Sequence, residues 1–314
     1  MTTRAPDAEP LDLVVGGRHV PITHPDRVVW PVTGTTKRDL VAYLLAAAPL
    51  LLPNLAGRAT MLWRFPEGVE GKGWFQAQCR SRPPWVRTAD IVGKRGDLLR
   101  YCLIEEPATL AWLANLGTIE LHPHLWTVDE PEVPEAVVFD LDPGPPAGLG
   151  SAARVALRVA ERLRADGMTP VVKTSGSLGM HVGAKVDPGA TFADTKRYAR
   201  DVADALAEET PDAVIARSQR ASRRGRVYVD WVQNDHNRQL VAPWSPRSTP
   251  IPRVSLPLSW DEVAAIATAG TGHPDVGFDA ALARMPAAGG LWLEPAPGTA
   301  ASSRPPRLGP RAAG

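Results

Sequence analysis

Two aspartates one residue apart, at the end of an apolar segment, are the residues of this sequence best suited to chemistry. The segment reads Val137-Val138-Phe139-Asp140-Leu141-Asp142-Pro143-Gly144. In a β-strand, alternation places Asp140 and Asp142 on one face and turns Phe139 and Leu141 toward the core. Two neighbouring carboxylates raise each other's pKa unless a hard divalent cation such as Mg²⁺ or Mn²⁺ neutralises them. The pair is therefore a candidate metal site, with two solvated aspartates at a strand end as the alternative.

A third aspartate follows the most basic segment of the chain. Between residues 217 and 226 there is no acidic residue and there are five arginines: Arg217, Arg220, Arg223, Arg224 and Arg226. The residues that follow, 227–231, alternate as a strand and place Asp230 on the opposite face from Val229 and Trp231. Runs of charge are usually solvated surface, but five cations without an acid favour a polyanionic partner.

A glycine-serine turn between two predicted strands offers candidate phosphate ligands. The turn follows Lys173 and Thr174 and contains Ser175, with His181 shortly after it. Small residues let backbone N–H groups approach a phosphate, and Ser175 and His181 could add side-chain donors. Such a turn alone is weak evidence. A further histidine, His122, shares one face of a predicted strand with Glu120, where a single histidine is more often structural.

Residues 58–90 combine aromatic with basic side chains. Trp74 and Phe75 follow the glycine-rich stretch 71–73, with Arg64 upstream. Aromatic rings beside cations can stack on unpaired bases, at about 1–3 kcal/mol per base. The alternative is that one of the two adjacent aromatics points into the core.

The elements that must position these residues alternate between strands and helices. Residues 11–22 predict a hairpin around two glycines, and residues 36–39 predict a capping box that starts a helix ending near residue 53. Lys37 and Arg38 then lie in a first helical turn, where free backbone N–H groups suit a phosphate, although a solvated helix start is the simpler reading. Further helices are predicted near 151–166, at 191–209 and after Ser259.

Composition is that of an ordinary globular protein. The 314 residues are 44% hydrophobic and 22% charged, with a formal net charge of +1 that neither favours nor excludes a polyanion. We expect one large or two closely packed domains over residues 11–294, with disordered ends at 1–10 and 295–314. The first residues lack a signal core and no run could span a bilayer, so we expect a cytosolic protein without a membrane partner. In that compartment Cys79 and Cys102 are expected to be reduced.

These features together indicate a nucleotidyl transferase. Two metal ions held by three carboxylates can activate a hydroxyl for in-line attack and stabilise the leaving phosphate. Asp140 and Asp142 would bridge both ions, and Asp230 would hold the ion that activates a primer 3′-hydroxyl. Ser175 and His181 would hold the incoming triphosphate.

The chain also resembles the polymerase domain of bacterial ligase D, in the archaeo-eukaryotic primase superfamily, which works in non-homologous end joining. The resemblance covers residues 23–262. It rests on Thr33-Gly34-Thr35-Thr36-Lys37, Phe139-Asp140-Leu141-Asp142-Pro143-Gly144, Thr174-Ser175-Gly176-Ser177 with Gly179 and His181, Gly225-Arg226-Val227 with Asp230-Trp231-Val232-Gln233-Asn234, and Ala242-Pro243-Trp244-Ser245.

The resemblance implies a mixed α/β, primase-like fold with central sheets flanked by helices. It also implies templated addition of nucleotides with a preference for ribonucleotides, Mn²⁺ as the favoured metal, and DNA gaps, overhangs or 5′-phosphorylated ends as substrates. The residues that match nucleotide or DNA contacts are Arg27 and Lys37 for a 5′-phosphate, Trp74 and Phe75 for the templating base, and His122, Arg64, Arg223 and Arg247 for nucleotide or DNA. From the arginine run, Arg220 is predicted to bind DNA as well. We find no ligase or nuclease motif, so the resemblance is to a stand-alone polymerase that would depend on a separate ligase and on the Ku end-binding protein.

Two positions depart from the family pattern. Leu178 occupies a turn position where lysine is common, and Trp63 replaces a lysine beside Arg64. Affinity for a triphosphate would then be lower, unless Lys173 and Arg226 compensate. Arg27 in place of lysine keeps the charge but changes its geometry.

Two other functions are compatible with parts of the sequence. Residues 139–142 resemble the nucleophile strand of haloacid dehalogenase-type phosphatases, but Pro143-Gly144 follows where that class usually has Gly-Thr, and its downstream acidic pair is not found. A non-catalytic module that binds or bridges DNA ends is the second alternative. It would bind ends tightly even without Asp140 and Asp142.

Overall fold

The chain folds around one six-stranded mixed β-sheet in a computed structural model that describes residues 9–93, 96–217, 223–270, 277–285 and 292. Apart from residues 9 and 10, the predicted disordered ends at 1–10 and 295–314 lie outside the described residues, and so does Arg220. Within the described ranges, no helix combines the length and the apolar character that a membrane crossing requires.

The strands and helices follow in chain order. The first half contains β1 Leu11–Val15, β2 Arg18–Ile22, β3 Val28–Trp30, β4 Thr35–Thr36, α1 Lys37–Leu51, β5 Thr60–Arg64, β6 Trp74–Gln76, β7 Thr88–Val92, β8 Leu98–Cys102, α2 Pro107–Asn115 and β9 Thr118–Pro123. The second half contains β10 Ala136–Pro143, α3 Leu149–Ala165, β11 Val171–Thr174, β12 Met180–Lys185, α4 Phe192–Glu209, β13 Val214–Ile215, β14 Val227–Asp230, β15 Pro246–Arg247, β16 Arg253–Val254, β17 Pro257–Leu258, α5 Trp260–Ala269 and α6 Phe278–Arg284. Short 3₁₀ turns cover Leu52–Asn54 and Trp231–Gln233.

The large sheet has the order β13-β14-β10-β12-β11-β17. Strand β10 is antiparallel to both of its neighbours, and β13 with β14 forms the parallel pair. A smaller sheet, β6-β5-β9, lies earlier in the chain, and the predicted N-terminal hairpin is confirmed as β1-β2. The mixture of helices and sheets agrees with the expected fold class.

Strand β10 is amphipathic as its alternation predicts. Phe139 and Leu141 are fully buried in a core shared with α3, α4 and α5, while Asp140 and Asp142 lie on the other face. Full burial of each apolar side chain contributes about 1.5–3 kcal/mol. On its β14 side, the strand is also held at Val138, whose backbone N–H and C=O are 2.8 and 2.7 Å from the side-chain amide of the buried Asn234.

Three helices begin with the predicted capping boxes. Thr36 caps α1 with Asp39, Thr191 caps α4 with Asp194, and Ser259 caps α5 with Glu262. Each such cap is worth about 1 kcal/mol. The start of α1 places Lys37 as its first residue, which becomes important below.

The expectation of reduced cysteines is wrong in this structure. Cys79 and Cys102 form a disulfide, with their Cα atoms 5.0 Å apart. The cause is long-range packing, because the Cys79 N–H donates to the Arg100 carbonyl at 2.7 Å and places the loop beside β8. Both cysteines are buried, so the two sulfur atoms meet inside the core.

Candidate active site

The register of three antiparallel strand pairs places four polar side chains in one row across the large sheet. Asp230 on β14 lies opposite Asp140 on β10, which lies opposite His181 on β12, which lies opposite Lys173 on β11. Residues directly opposite each other share a face of the sheet. We call these four residues the polar row. The structure thus brings together residues that are up to 90 positions apart in sequence.

Direct contacts join three members of the polar row. Nε2 of His181 lies 3.2 Å from Oδ1 of Asp140, and Nζ of Lys173 lies 2.6 Å from Nδ1 of His181. Lys173 is fully buried and also donates to Oγ of Ser255 at 2.8 Å. Lys173, which the sequence predicts as a nucleotide contact, thus contacts His181 and Ser255 in this structure.

The carboxylates of the site carry too little compensating charge. Burial raises the pKa of Asp140 to about 6, although Lys173 and Arg247 act in the opposite direction. Burial, followed by repulsion from Asp140, raises the pKa of Asp142 to about 7. The pKa of Asp230 is raised by the same two causes. Additional positive charge in the site would therefore stabilise the ionised form of each of the three aspartates.

A divalent cation fits this donor set by its chemistry. Carboxylate oxygens are the ligands that Mg²⁺ and Mn²⁺ prefer, and a cation would supply the charge that the raised pKa values show to be lacking. Even so, no three His, Cys, Asp or Glu side chains of the described residues are grouped as an ion site. Nε2 of Gln233 lies between two of the carboxylates, 3.4 Å from Oδ2 of Asp140 and 3.4 Å from Oδ2 of Asp230. Three carboxylates are thus available on one strand pair, but they are not grouped around one point where an ion could bind.

A cavity of about 640 Å³ opens over the carboxylates. Its lining includes Asp140, Asp142, Ser175, His181, His122, Arg223, Gln233, Gln239 and Arg247. Three residues that we expected to bind nucleotide, Arg64, Lys173 and Arg226, are not among the lining residues, and neither is Asp230. The cavity therefore collects most, but not all, of the predicted nucleotide-binding residues.

The glycine-serine turn forms one wall of the cavity. Oγ of Ser175 accepts backbone N–H groups of Ser177 and Gly179, each at 3.2 Å, so this hydroxyl shapes the turn and still has its own hydrogen to donate. A Cβ on Gly179 would lie 2.2 Å from the Leu141 carbonyl oxygen, so only glycine lets the turn approach β10 this closely. Leu178, at the tip, is half exposed in the cavity.

A buried glutamate outside the predicted site residues organises the part of the cavity lining that contains His122 and Arg247. Glu120 lies on β9, with Oε2 2.9 Å from Nε2 of His122 and 3.1 Å from Nη1 of Arg247, while Oε1 accepts the Ser248 N–H at 2.8 Å. Burial acts to raise its pKa, but His122, Arg247 and Ser248 together lower it. Glu120 therefore orients two lining residues. Its place on the same strand face as His122 was the signal available in the sequence.

Aromatic side chains extend this part of the lining toward solvent. On the β6-β5-β9 sheet, the rings of Phe75 and Trp63 have centroids 4.4 Å apart, and Phe75 meets His122 edge-on at 5.5 Å. Trp74 is on the other face of β6, with the guanidinium of Arg64 5.4 Å from its ring. Trp74 and Phe75 are 43% and 53% exposed, so neither of them is a core residue. Both rings are accessible for stacking.

The arginine run divides between two surfaces. Nη1 of Arg223 lies 3.8 Å from Oδ2 of Asp142, and its guanidinium packs over the Tyr228 ring at 4.1 Å. Arg226 instead donates to the Pro211 carbonyl at 3.2 Å and lines a different cavity, together with Arg217. Alternation cannot show this division, because the arginines precede the strand rather than belong to it.

The two predicted 5′-phosphate residues lie together near the start of α1, in what we call the cationic corner, defined by Arg27 and Lys37. Nζ of Lys37 is buried and donates to the Thr23 carbonyl at 2.7 Å and the Asn115 carbonyl at 3.2 Å. Burial, followed by repulsion from Arg27, lowers the pKa of Lys37 to about 8. Arg27 is more exposed and donates to the Pro66 carbonyl at 2.9 Å. Both cations therefore already have acceptors within the protein.

Comparison with known proteins identifies similar domains. The family described as "LigD, primase-polymerase domain" matches residues 36–292. The multifunctional non-homologous end joining DNA repair protein LigD of Mycobacterium tuberculosis is 33% identical over 255 residues, which cover 78% of this chain and 34% of that protein. The bifunctional non-homologous end joining protein LigD of Bacillus subtilis is 26% identical over 255 residues, covering 78% and 41%. The chain thus spans about a third of the length of the first of these relatives.

A solved structure is similar over nearly its whole length. The polymerase domain from Mycobacterium tuberculosis ligase D, in complex with DNA, superposes with a TM-score of 0.78 at 32% sequence identity, covering 83% of this chain and 92% of that one. The matched domains are polymerases, which argues against the phosphatase alternative.

Proposed function

The chain belongs to the LigD primase-polymerase family, whose members are DNA-directed nucleotidyltransferases with a primase-like fold, and from this premise we propose that it adds nucleotides to a primer 3′-hydroxyl under the direction of a DNA template. The observation that carries the proposal is the pairing of Asp140 with Asp230 across β10 and β14, together with a cavity large enough for a nucleotide that Asp140 and Asp142 line.

The carboxylates have distinct roles in this proposal. Asp140 and Asp142 would hold two Mn²⁺ or Mg²⁺ ions, and Asp230 would be a further ligand for the ion that activates the primer hydroxyl. Ions bound there lower the pKa of a hydroxyl and stabilise the leaving phosphate. Gln233 contacts both Asp140 and Asp230, so its amide would adjust when these carboxylates bind a cation.

The triphosphate would lie against the glycine-serine turn. Ser175 has a hydroxyl hydrogen to donate, Nε2 of His181 faces the cavity side of the sheet, and Arg247 contributes a guanidinium held by Glu120. His122, which also lines the cavity, would contact the nucleotide. Arg226 is directed away from this cavity, so we do not include it among the nucleotide ligands.

DNA would approach over the aromatic surface. Trp74 and Phe75 expose rings on which a templating base could stack, while Arg64, Arg220 and Arg223 would contact nucleotide or backbone. Arg27 and Lys37 would hold the 5′-phosphate at the far side of a gap. The acceptors that these two residues already have imply that a phosphate must compete with the protein's own carbonyl groups.

The biological setting follows from the relatives, which are named as end-joining proteins. We propose that the chain fills gaps and breaks during bacterial non-homologous end joining in the nucleoid, with ribonucleotides preferred. A ligase activity and the Ku protein would complete the repair.

Primer extension tests the proposal. A labelled primer on a gapped duplex with a downstream 5′-phosphate is incubated with Mn²⁺ and either ribo- or deoxyribonucleotides. We expect templated extension by the wild type, loss of extension in Asp140→Asn, and normal extension in Asp201→Asn, a control at an exposed position of α4. Duplex binding without extension by the wild type would overturn the proposal and leave a DNA-end-binding module.

A further inference from the structure

Lys173 is a fully buried lysine at the inner end of the polar row. Its Nζ lies 2.6 Å from Nδ1 of His181 and 2.8 Å from Oγ of Ser255. Ser255 is itself buried, and its hydroxyl donates to the Thr174 carbonyl at 2.8 Å. A hydroxyl that donates elsewhere accepts from Lys173, so Ser255 fixes the direction of the first hydrogen bond.

The other side of the His181 ring faces a carboxylate. Nε2 of His181 lies 3.2 Å from Oδ1 of Asp140, and an ionised carboxylate can only accept hydrogen bonds. The proton of a neutral ring is therefore on Nε2, and Nδ1 is left as an acceptor. Lys173 is the residue that donates to Nδ1. A protonated lysine can only donate hydrogen bonds, so its contact with Nδ1 disfavours a proton on that nitrogen.

The position of Lys173 is itself constrained. Strand register places it directly opposite His181, and its Nζ lies 5.2 Å from the centroid of the Trp292 ring. Ser255 holds the same atom from a third direction. The Nζ atom of Lys173 is therefore held in one location, where it contacts the edge of the His181 ring and does not line the cavity.

We propose that Lys173 is a positioning residue that holds His181 as the Nε2–H tautomer, with that N–H directed toward Oδ1 of Asp140 at the edge of the cavity. The tautomer itself does not depend on the function proposed above. Its consequence does, because the fixed N–H would be offered to the triphosphate of an incoming nucleotide. The sequence-based view of Lys173 as a direct triphosphate ligand is thereby replaced by an indirect role.

The tautomer can be measured without any assay of activity. The metal-free full chain is labelled with ¹⁵N-histidine, and the His181 ring signals are assigned by their loss in His181→Gln. In the wild type we expect a protonated Nε2 and an unprotonated Nδ1. In Lys173→Met, which keeps the length but has no donor, we expect the two nitrogen shifts to move toward each other as both tautomers become populated. A wild-type signal with the proton on Nδ1 would overturn the proposal even if Lys173→Met fails to fold.

Folded Lys173→Met with unchanged His181 shifts would overturn it equally. Ser255→Ala provides a milder variant, because it removes the second anchor of Nζ but leaves the amine in place. We expect a smaller change of His181 shifts in the same direction. No change in this variant, together with an intact fold, would contradict the anchoring role.

A double-mutant comparison tests the consequence for nucleotide binding. In the His181→Gln background, the glutamine amide offers an N–H near the position of Nε2 and has no tautomer to be set. Lys173→Met should raise the KM for nucleotide roughly tenfold in the wild-type background, with a smaller effect on kcat, and should add little in the His181→Gln background. Equal effects in both backgrounds would show that Lys173 acts independently of His181. If the wild type adds no nucleotide at all, the proposed function fails, while the ¹⁵N spectra still decide the tautomer.

Discussion

The polar row and the cationic corner both contain basic residues that the sequence suggests for phosphate chemistry, but the protein uses them in opposite ways. In the polar row, charged groups face each other across strands and the carboxylates are left short of positive charge. In the cationic corner, the side chain of Lys37 is buried and donates hydrogen bonds to the backbone carbonyls of Thr23 and Asn115. A residue's charge therefore predicts its role only when its acceptors are known.

The largest effect is expected in the polar row. Asp140→Asn and Asp230→Asn should each reduce templated extension by about 10³-fold or more, since each removes an anionic ligand from the reacting centre. Affinity for the gapped duplex, measured by fluorescence anisotropy, should change little. Retention of more than a tenth of the extension rate by either variant would show that the row is not the reaction centre.

Lys37 should act mainly on stability. Lys37→Met removes the hydrogen bonds that Lys37 donates to the Thr23 and Asn115 carbonyls, which costs about 1–3 kcal/mol of unfolding free energy. Denaturant unfolding measures this loss. Arg38→Ala is the matched control in the same helical turn, because Arg38 pairs with Asp26 at the surface and should cost less than about 1 kcal/mol. Equal losses in the two variants would contradict the expectation that Lys37 stabilises the fold through its buried hydrogen bonds.

Arg27 should act mainly on phosphate recognition. Arg27→Ala is expected to reduce the preference for a 5′-phosphate over a 5′-hydroxyl about tenfold, since the guanidinium is the more accessible of the two cations in the corner. Binding of two gapped duplexes that differ only in this phosphate measures the preference. An unchanged preference in Arg27→Ala would mean that the phosphate is held elsewhere.

Asp140 and Asp142 should make the metal-free protein less stable as the pH rises. The folded-state pKa values of Asp140 and Asp142, about 6 and about 7, lie above their unfolded values near 3.9, so the folded state binds more protons between roughly pH 4 and 7. Tm should fall across this range and then level off. Asp142 is half exposed, so solvent reduces its share. Asp140→Asn should reduce the decrease of Tm between pH 5 and 7. An equal or larger decrease in Asp140→Asn would contradict a raised pKa of Asp140 in the folded protein.

Mn²⁺ should reverse part of this loss. A divalent cation competes with protons for the carboxylates, so added Mn²⁺ should raise Tm more at pH 8 than at pH 5. The same addition to Asp140→Asn provides the control, and an equal shift in both proteins would place the ion elsewhere.

The smallest effect is expected at the mouth of the cavity. Leu178→Lys restores the cation common in the family at a half-exposed position, and should lower the KM for nucleotide by a factor of about two to five. Leu178→Gln is the uncharged control. A change of the same size in both variants would show that polarity matters there, not charge.

Much of the polar row could be predicted because strand alternation is a local rule. It places Asp140 and Asp142 on one face and Asp230 away from its apolar neighbours, and the capping boxes fix where α1, α4 and α5 begin. Pairing between strands is not local. The sequence alone could not show that Lys173 would face His181, since that depends on the register of β11 with β12.

Failures of sequence-based prediction share one physical cause. Arg226 turns to the Pro211 carbonyl, Cys79 meets Cys102 through the pairing of its segment with Arg100, and Glu120 gains its importance from Arg247, which is distant in the chain. Each outcome depends on a partner brought close only by folding. Residue type indicated which chemistry was available, but not which acceptor would be nearest.

The side-chain amide of Asn234 has a consequence for the fidelity of folding. An alternating strand such as β10 can slide by two residues against a neighbour and still keep its apolar face buried. The N–H and the C=O of Val138 are both hydrogen-bonded to the side-chain amide of Asn234, much as a neighbouring strand would bond them. These two bonds form in only one alignment of β10. A slipped chain would break these bonds inside the core and would also move Asp140 away from Asp230. The hydrogen bonds of one side-chain amide therefore stabilise the strand alignment that places Asp140 opposite Asp230.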